Sequence, residues 1–302
     1  MVDQTQSRAG RIEVSASHRA LVGRFEVRRA LPQRGRRTVG PWCFADHMGP
    51  APVTDDQGLD IGPHPHCGLQ TVTWLVEGEA LHHDSLGTEQ LITPGRLNLM
   101  TAGRGVALAE EAIGHFRGVL EGVQLWIAQP ESTRHGAPAF DHLADLEQVE
   151  LTGGSATLLA GEFAGVTSAA RVASPVIGLD LSLTRDTIVA LSPSFEHAII
   201  PVRGAVTVDG ARLEPGALGY LPPGTDELAI RVHEPTRALL VGGEPFAEQV
   251  LMWWNFVART RDEIDAAYGS WAHPDGRFGE VLSQLDVVTT APPYWQSPTP
   301  KA

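Results

Sequence analysis

One phrase occurs twice in this chain, and its recurrence constrains the fold more than any other feature. Glu77-Gly78-Glu79 leads through Pro94-Gly95-Arg96-Leu97 to Thr101-Ala102-Gly103. Arg203-Gly204-Ala205 leads through Pro215-Gly216-Ala217-Leu218 to Pro222-Pro223-Gly224. In both, a strand ends at glycine, a hairpin follows, and then come Pro-Gly, a strand and a glycine turn. A repeat this long implies two copies of one fold. The runs Gln70–Val76, Ala80–His83, Gln90–Thr93, Leu97–Met100 and Val123–Ile127 read as strands, punctuated by glycine and proline turns. That spacing predicts small antiparallel barrels or sandwiches. The boundary between copies falls near Gly153-Gly154-Ser155, which gives a first domain over 12–150 and a second over 155–302. Residues up to about Arg11 read as a disordered tail.

One helix is predicted, in the second domain. Thr260-Arg261-Asp262-Glu263 is a capping box, in which hydroxyl and carboxylate each satisfy an orphan N–H. Ile264, Ala267 and Tyr268 continue at helical spacing to about Trp271. The preceding Trp253-Trp254-Asn255-Phe256 reads as a core or interdomain plug, with a partner-docking surface as the alternative.

The chemistry is concentrated in Gly62-Pro63-His64-Pro65-His66-Cys67-Gly68. His64 and His66 enter a β-branched run, and side chains two apart on a strand share a face. Two imidazoles on a rigid strand are half of a metal site; buried, hydrogen-bonded histidines are the plainer reading. The candidate carboxylate is Glu110, as ligand and as the one candidate catalytic group. Two histidines and a carboxylate form the facial set of non-haem Fe(II) oxygenases. If the segment is extended, Leu108 and Glu110 share a face and Glu111 turns the other way. One of His82 and His83 is expected inside the barrel, as a partner to a ligand or as a substitute for one. Cys67 should face away from the ligands as a core thiol. His115, His135 and His142 read as surface residues. Counting back from Gly204 places Ala190 and Ser192 where the first copy has its histidines, with the counterpart of Glu110 near Arg231. Lone His197 and His233 read as surface or core residues, so the second copy lacks ligands.

Composition limits the remaining functions. The net charge of −13 repels phosphate backbones, so direct nucleic-acid binding is not expected. The cluster Arg24, Arg28, Arg29, Arg34, Arg36 and Arg37 reads as a solvated face or as partners for acidic residues. Two cysteines, Cys43 and Cys67, imply no disulfide framework. The polar start carries no signal-type apolar segment, and no apolar run approaches a membrane span. A cytoplasmic monomer without membrane contact is the expectation.

The chain resembles the pirin family of the cupin superfamily. The resemblance rests on His64-Pro65-His66-Cys67-Gly68-Leu69-Gln70-Thr71-Val72-Thr73, His82-His83-Asp84-Ser85-Leu86-Gly87 and Met100-Thr101-Ala102-Gly103-Arg104-Gly105. Gly122-Val123-Gln124-Leu125-Trp126, Gly242-Gly243-Glu244-Pro245-Phe246 and Trp253-Trp254-Asn255-Phe256 extend it over nearly the whole chain. It implies an all-β fold of two tandem jelly-roll-like cupin barrels with a short C-terminal helix. It also implies iron in the N-terminal barrel and none in the C-terminal one. Pirins hold iron with three histidines and a glutamate. By position His64, His66 and Glu110 carry over as metal ligands, whereas Leu108 stands at the family's third histidine. The remaining triad then holds Fe(II) or another divalent metal weakly, or His82 swings in, or the site is metal-free. The activity implied is quercetin 2,3-dioxygenase-like oxidation of a flavonol. The alternative is a metal-tuned regulator that binds other proteins.

Overall fold

The computed structural model describes residues 12–23, 25–54, 59–112 and 116–296. Arg24, His115 and the tail up to Arg11 lie outside the described residues. Among the described residues the fold is mostly β, with one α-helix, Arg261–Ala272. Contacts gather the chain into two compact units. One contains Ala20–Val27, Met48–Ala144 and the segment from Glu248 onward. The other contains Arg28–His47, Asp145–Ala247 and the N-terminal segment to Arg19.

Both units repeat one plan, as the duplicated phrase predicts. In the first, a four-stranded sheet has the order Ile61–His66, Val106–Glu111, Ala80–Asp84, Glu89–Ile92. A larger sheet carries Ala139–Leu143, Leu97–Thr101, Leu69–Glu77 and Gly118–Ala128 side by side in that order. Leu75 and Leu120 from the larger sheet meet Ala80 and Ile92 from the smaller in one buried core. In the second unit the small sheet has the matching order Thr187–Ala190, Glu227–Val232, Val206–Val208, Ala211–Leu213. Its core joins Leu179, Ile199 and Leu240 to Val189, Val206 and Ile230.

Two features bear on the expectations. The first concerns the limits 12–150 and 155–302: by contacts, Glu248 onward, helix included, gathers with the first barrel and Arg28–His47 with the second. Hydrogen bonds give the reason. The Cys67 carbonyl accepts from Val257 N, the Pro63 carbonyl from Val288 N, and the Phe278 carbonyl from Ala107 N, all at 2.9–3.0 Å. Ile264 and Ala267 of the helix pack on Cys67 and Ala107. The C-terminal segment thus covers the outer face of the two strands that carry the candidate site. Gly62 permits this, since a Cβ there would lie 2.0 Å from the Asp286 carbonyl oxygen. In the other unit, Trp42 Nε1 donates to the Gly242 carbonyl at 2.9 Å, and Gly40 N to Glu196 at 2.6 Å.

The second is a correction, of one residue, to the register of the second barrel. Ala190 and Arg231 face outward, while Val189, Leu191 and Ile230 are buried in the core. A one-residue slip exchanges the two faces of a strand. The inner positions are therefore aliphatic. The capping box is present as predicted: Glu263 N donates to Thr260 Oγ1, and Thr260 N to the Glu263 carboxylate. Phe256 is fully buried beside Trp253, which is the core reading of that motif.

Candidate metal centre

The site is built on three antiparallel strands. Val106–Glu111 lies between Ile61–His66 and Ala80–Asp84. Val106 pairs with His66, and Leu108 with His64. The register then shifts so that Glu110 opposes Ile61. On the other side Leu108 pairs with Asp84, and Glu110 with His82. Directly opposed residues share a face. His64, His66, His82, Asp84, Leu108 and Glu110 are accordingly all buried.

Burial sets their protonation. His64 is pushed down to about 4 by desolvation, against the raising effect of its bond to Gly62 and with a further lowering from His82. His66 is lowered well below the ordinary imidazole range by desolvation, then by His64 and His82. Both rings are therefore neutral near pH 7, the form that binds a metal. The Gly62 carbonyl accepts from His64 Nδ1 at 2.9 Å, which leaves the Nε2 lone pair free. His66 Nδ1 is buried without a hydrogen-bond partner, an arrangement that costs about 1–3 kcal/mol unless something binds it. The rings of His64 and His66 stand 5.1 Å apart edge to face, and Trp126 closes on His66 at 5.2 Å. Burial raises the Glu110 carboxyl, and His82 partly opposes this.

His82 is the interior member of its pair; His83 is only half-buried. Its Nε2 contacts Asp84 Oδ2 at 3.1 Å, and its ring stacks on Phe140 at 4.5 Å. Asp84 also accepts from the N–H groups of Leu86 and Thr88. Burial pushes the Asp84 carboxyl up, but the hydrogen bonds from His82 and Thr88 outweigh it and hold it down. Asp84 was legible only as the start of a turn, although its place two residues after His82 puts both on one face.

The donor chemistry suits a divalent cation: unprotonated imidazole nitrogens and a buried carboxylate with little to balance it. The arrangement is open, however. Among the described residues, no three His, Cys, Asp or Glu side chains are gathered as they stand into a group that could hold an ion. His64, His66 and Glu110 share a face without closing on one point. The Leu108 side chain stands between His64 and Asp84, the register shift sets Glu110 opposite Ile61 rather than in step with the histidines, and Asp84 engages His82.

The other candidates are placed as follows. Cys67 is buried on the opposite face, and desolvation pushes its thiol up to about 11. His135 is exposed, and His142 Nδ1 lies 2.7 Å from Asn98 Oδ1. His197 is buried in the second barrel. Within the arginine cluster, Arg29 pairs with Asp46 and Arg36 with Glu13. No helix among the described residues is long and apolar enough to cross a membrane.

Comparison with known proteins agrees with this architecture. The family model Pirin matches residues 24–127, and the Pirin C-terminal cupin domain matches 178–279. A Pseudomonas aeruginosa protein provisionally named a quercetin 2,3-dioxygenase is 43% identical over 282 residues, covering 93% of this chain and 89% of its own. A pirin-like protein of Caulobacter vibrioides is 36% identical, covering 86% and 94%. The crystal structure of quercetin 2,3-dioxygenase from Acinetobacter baumannii superposes with a TM-score of 0.91 at 41% identity, covering 95% and 97% of the two chains. Two matched barrels, an inward histidine pair in the first and an aliphatic interior in the second thus coincide with similarity along nearly the whole length, and the chain belongs to the pirin family.

Proposed function

We propose that the first barrel binds a divalent metal, Fe(II) in the cell, through His64, His66 and Glu110, and oxidises a flavonol-type substrate as a quercetin 2,3-dioxygenase-like enzyme. The observation that carries this reading is the buried, neutral imidazole pair with an unpartnered Nδ1 on the same face as Glu110. Relatives that carry the quercetin 2,3-dioxygenase name support it. The metal, when bound, supplies a Lewis acid and a template that orients substrate.

The chain's own residues have separate tasks. Gly62 fixes the His64 tautomer so that Nε2 faces the pocket. Glu110 serves in turn as a ligand and as the acceptor of a proton from an incoming hydroxyl. Trp126 and Phe140 supply flat apolar walls beside His66 and His82 and exclude water. Leu108 adds an apolar group where a donor would tighten the hold, so metal affinity is low.

The test combines elemental analysis with oxygen uptake. Iron-loaded protein should consume O₂ with quercetin, and His66→Ala should abolish this. Uptake equal to that of the iron-free control would reject the enzymatic reading. A second reading, a regulator that docks on another protein, does not require the donors to close on an ion. That reading requires a co-purifying partner whose binding survives His64→Ala.

A further inference from the structure

A cavity of about 380 Å³ opens on the outer wall of the first barrel's unit. It has the makings of a separate ligand site. Cys67, Val257, Ala258 and Ala266 give it an apolar floor and side, and Arg104, Arg134 and Arg277 line it as cations. Arg134 is buried, and its charge is matched by Glu131 and Glu263. The other two are different: among the described residues no carboxylate forms an ion pair with Arg104 or Arg277. Asp275, fully exposed, accepts from the main-chain N–H of Arg277 and from Ser270 Oγ and attracts the Arg277 charge through solvent without forming an ion pair with it. Arg277 Nε donates to the Arg104 carbonyl at 2.9 Å, which holds that guanidinium in place beside the cavity. The result is a rim on which Glu263 is taken up by Arg134, while Arg104 and Arg277 stand outside any ion pair above an apolar chamber.

Such a chamber selects its ligand by chemistry. Ligand pockets of about 300–1,000 Å³ are mostly apolar with a few directing polar groups, and this one sits at the small end. Inorganic phosphate would satisfy the rim but leave the floor against water. A neutral apolar molecule would fill the floor and leave the rim unused. We propose that this cavity binds a small organic carboxylate with an apolar, ring-sized body. The carboxylate sits on Arg104 and Arg277, where guanidinium geometry matches carboxylate geometry. The body packs on Val257, Ala258 and Ala266. The proposal does not rest on the metal reading, because it uses no residue of the inner pocket and Cys67 faces opposite to His66.

Calorimetric titration of the full chain at low salt tests it, with benzoate as probe and benzyl alcohol and inorganic phosphate as comparisons. Benzoate should bind saturably at one site, and the alcohol should not bind. Arg104→Gln and Arg277→Gln should each weaken benzoate roughly tenfold, the loss expected for one charge-assisted contact. Ala266→Trp, on the exposed face of the helix, should block the chamber. Circular dichroism melts matching the parent would show that the three variants fold. No benzoate binding at millimolar concentration, binding unchanged in both arginine variants, or phosphate binding as tightly as benzoate would each overturn the proposal.

Discussion

At residue 108 a leucine lies among the residues proposed to hold an ion. Leu108 lies opposite both His64 and Asp84, a position from which an imidazole would reach the pocket. Leu108→His should raise iron content measured after purification severalfold; full occupancy already in the parent would contradict this role for Leu108. His197 in the second barrel gives a pH prediction. It is buried, its Nδ1 has no partner, and desolvation pushes it to about 4 from 6.5. Between those values the unfolded chain holds a proton that the folded chain lacks. Stability therefore falls as pH drops through that window, by up to about 1.4 kcal/mol per pH unit for one group. His64 and His66 act in the same sense. His197→Leu should make the decline shallower without abolishing it, as read from urea denaturation midpoints at several pH values. Gly68 is a third decisive residue. Its φ is +72°, and a Cβ would lie 2.0 Å from the Val257 carbonyl oxygen. Gly68→Ala should cost more than about 2 kcal/mol, since backbone rather than a flexible side chain must give way.

Among the elements, the helix Arg261–Ala272 shows how local sequence and distant packing divide the work. Its start is written locally, in the reciprocal Thr260 and Glu263 bonds. Thr260→Ala should destabilise the protein by about 1 kcal/mol, measured as a lower midpoint of thermal unfolding. What the helix packs against is not written locally. Ile264 and Ala267 give only a short apolar stripe, and a stripe of that kind fits either barrel. The strands divide similarly. Alternation and turn glycines placed them closely: Gln70–Val76 was expected against the observed Leu69–Glu77, and Leu97–Met100 against Leu97–Thr101. In the second barrel the same counting misplaced the inner face by one residue, because the loops of the two copies differ in length and a period of two tolerates no slip.

The whole molecule exchanges segments between its halves. A fragment cut to residues 12–150 would lack the C-terminal segment over Cys67 and Ala107 and would carry Arg28–His47 without its partners. It should show no cooperative unfolding transition, whereas the full chain should. The duplicated barrel and the histidine pair on one strand face were determined by sequence alone. Each follows from periodicity, turn chemistry or residue type, which act over a few residues. The crossing of Glu248 onward to the first unit, the engagement of His82 by Asp84 and the arginines gathered beside an apolar chamber were decided only by tertiary structure. They depend on contacts between residues far apart in the chain, and local pattern carries no information about which distant surface an element will cover.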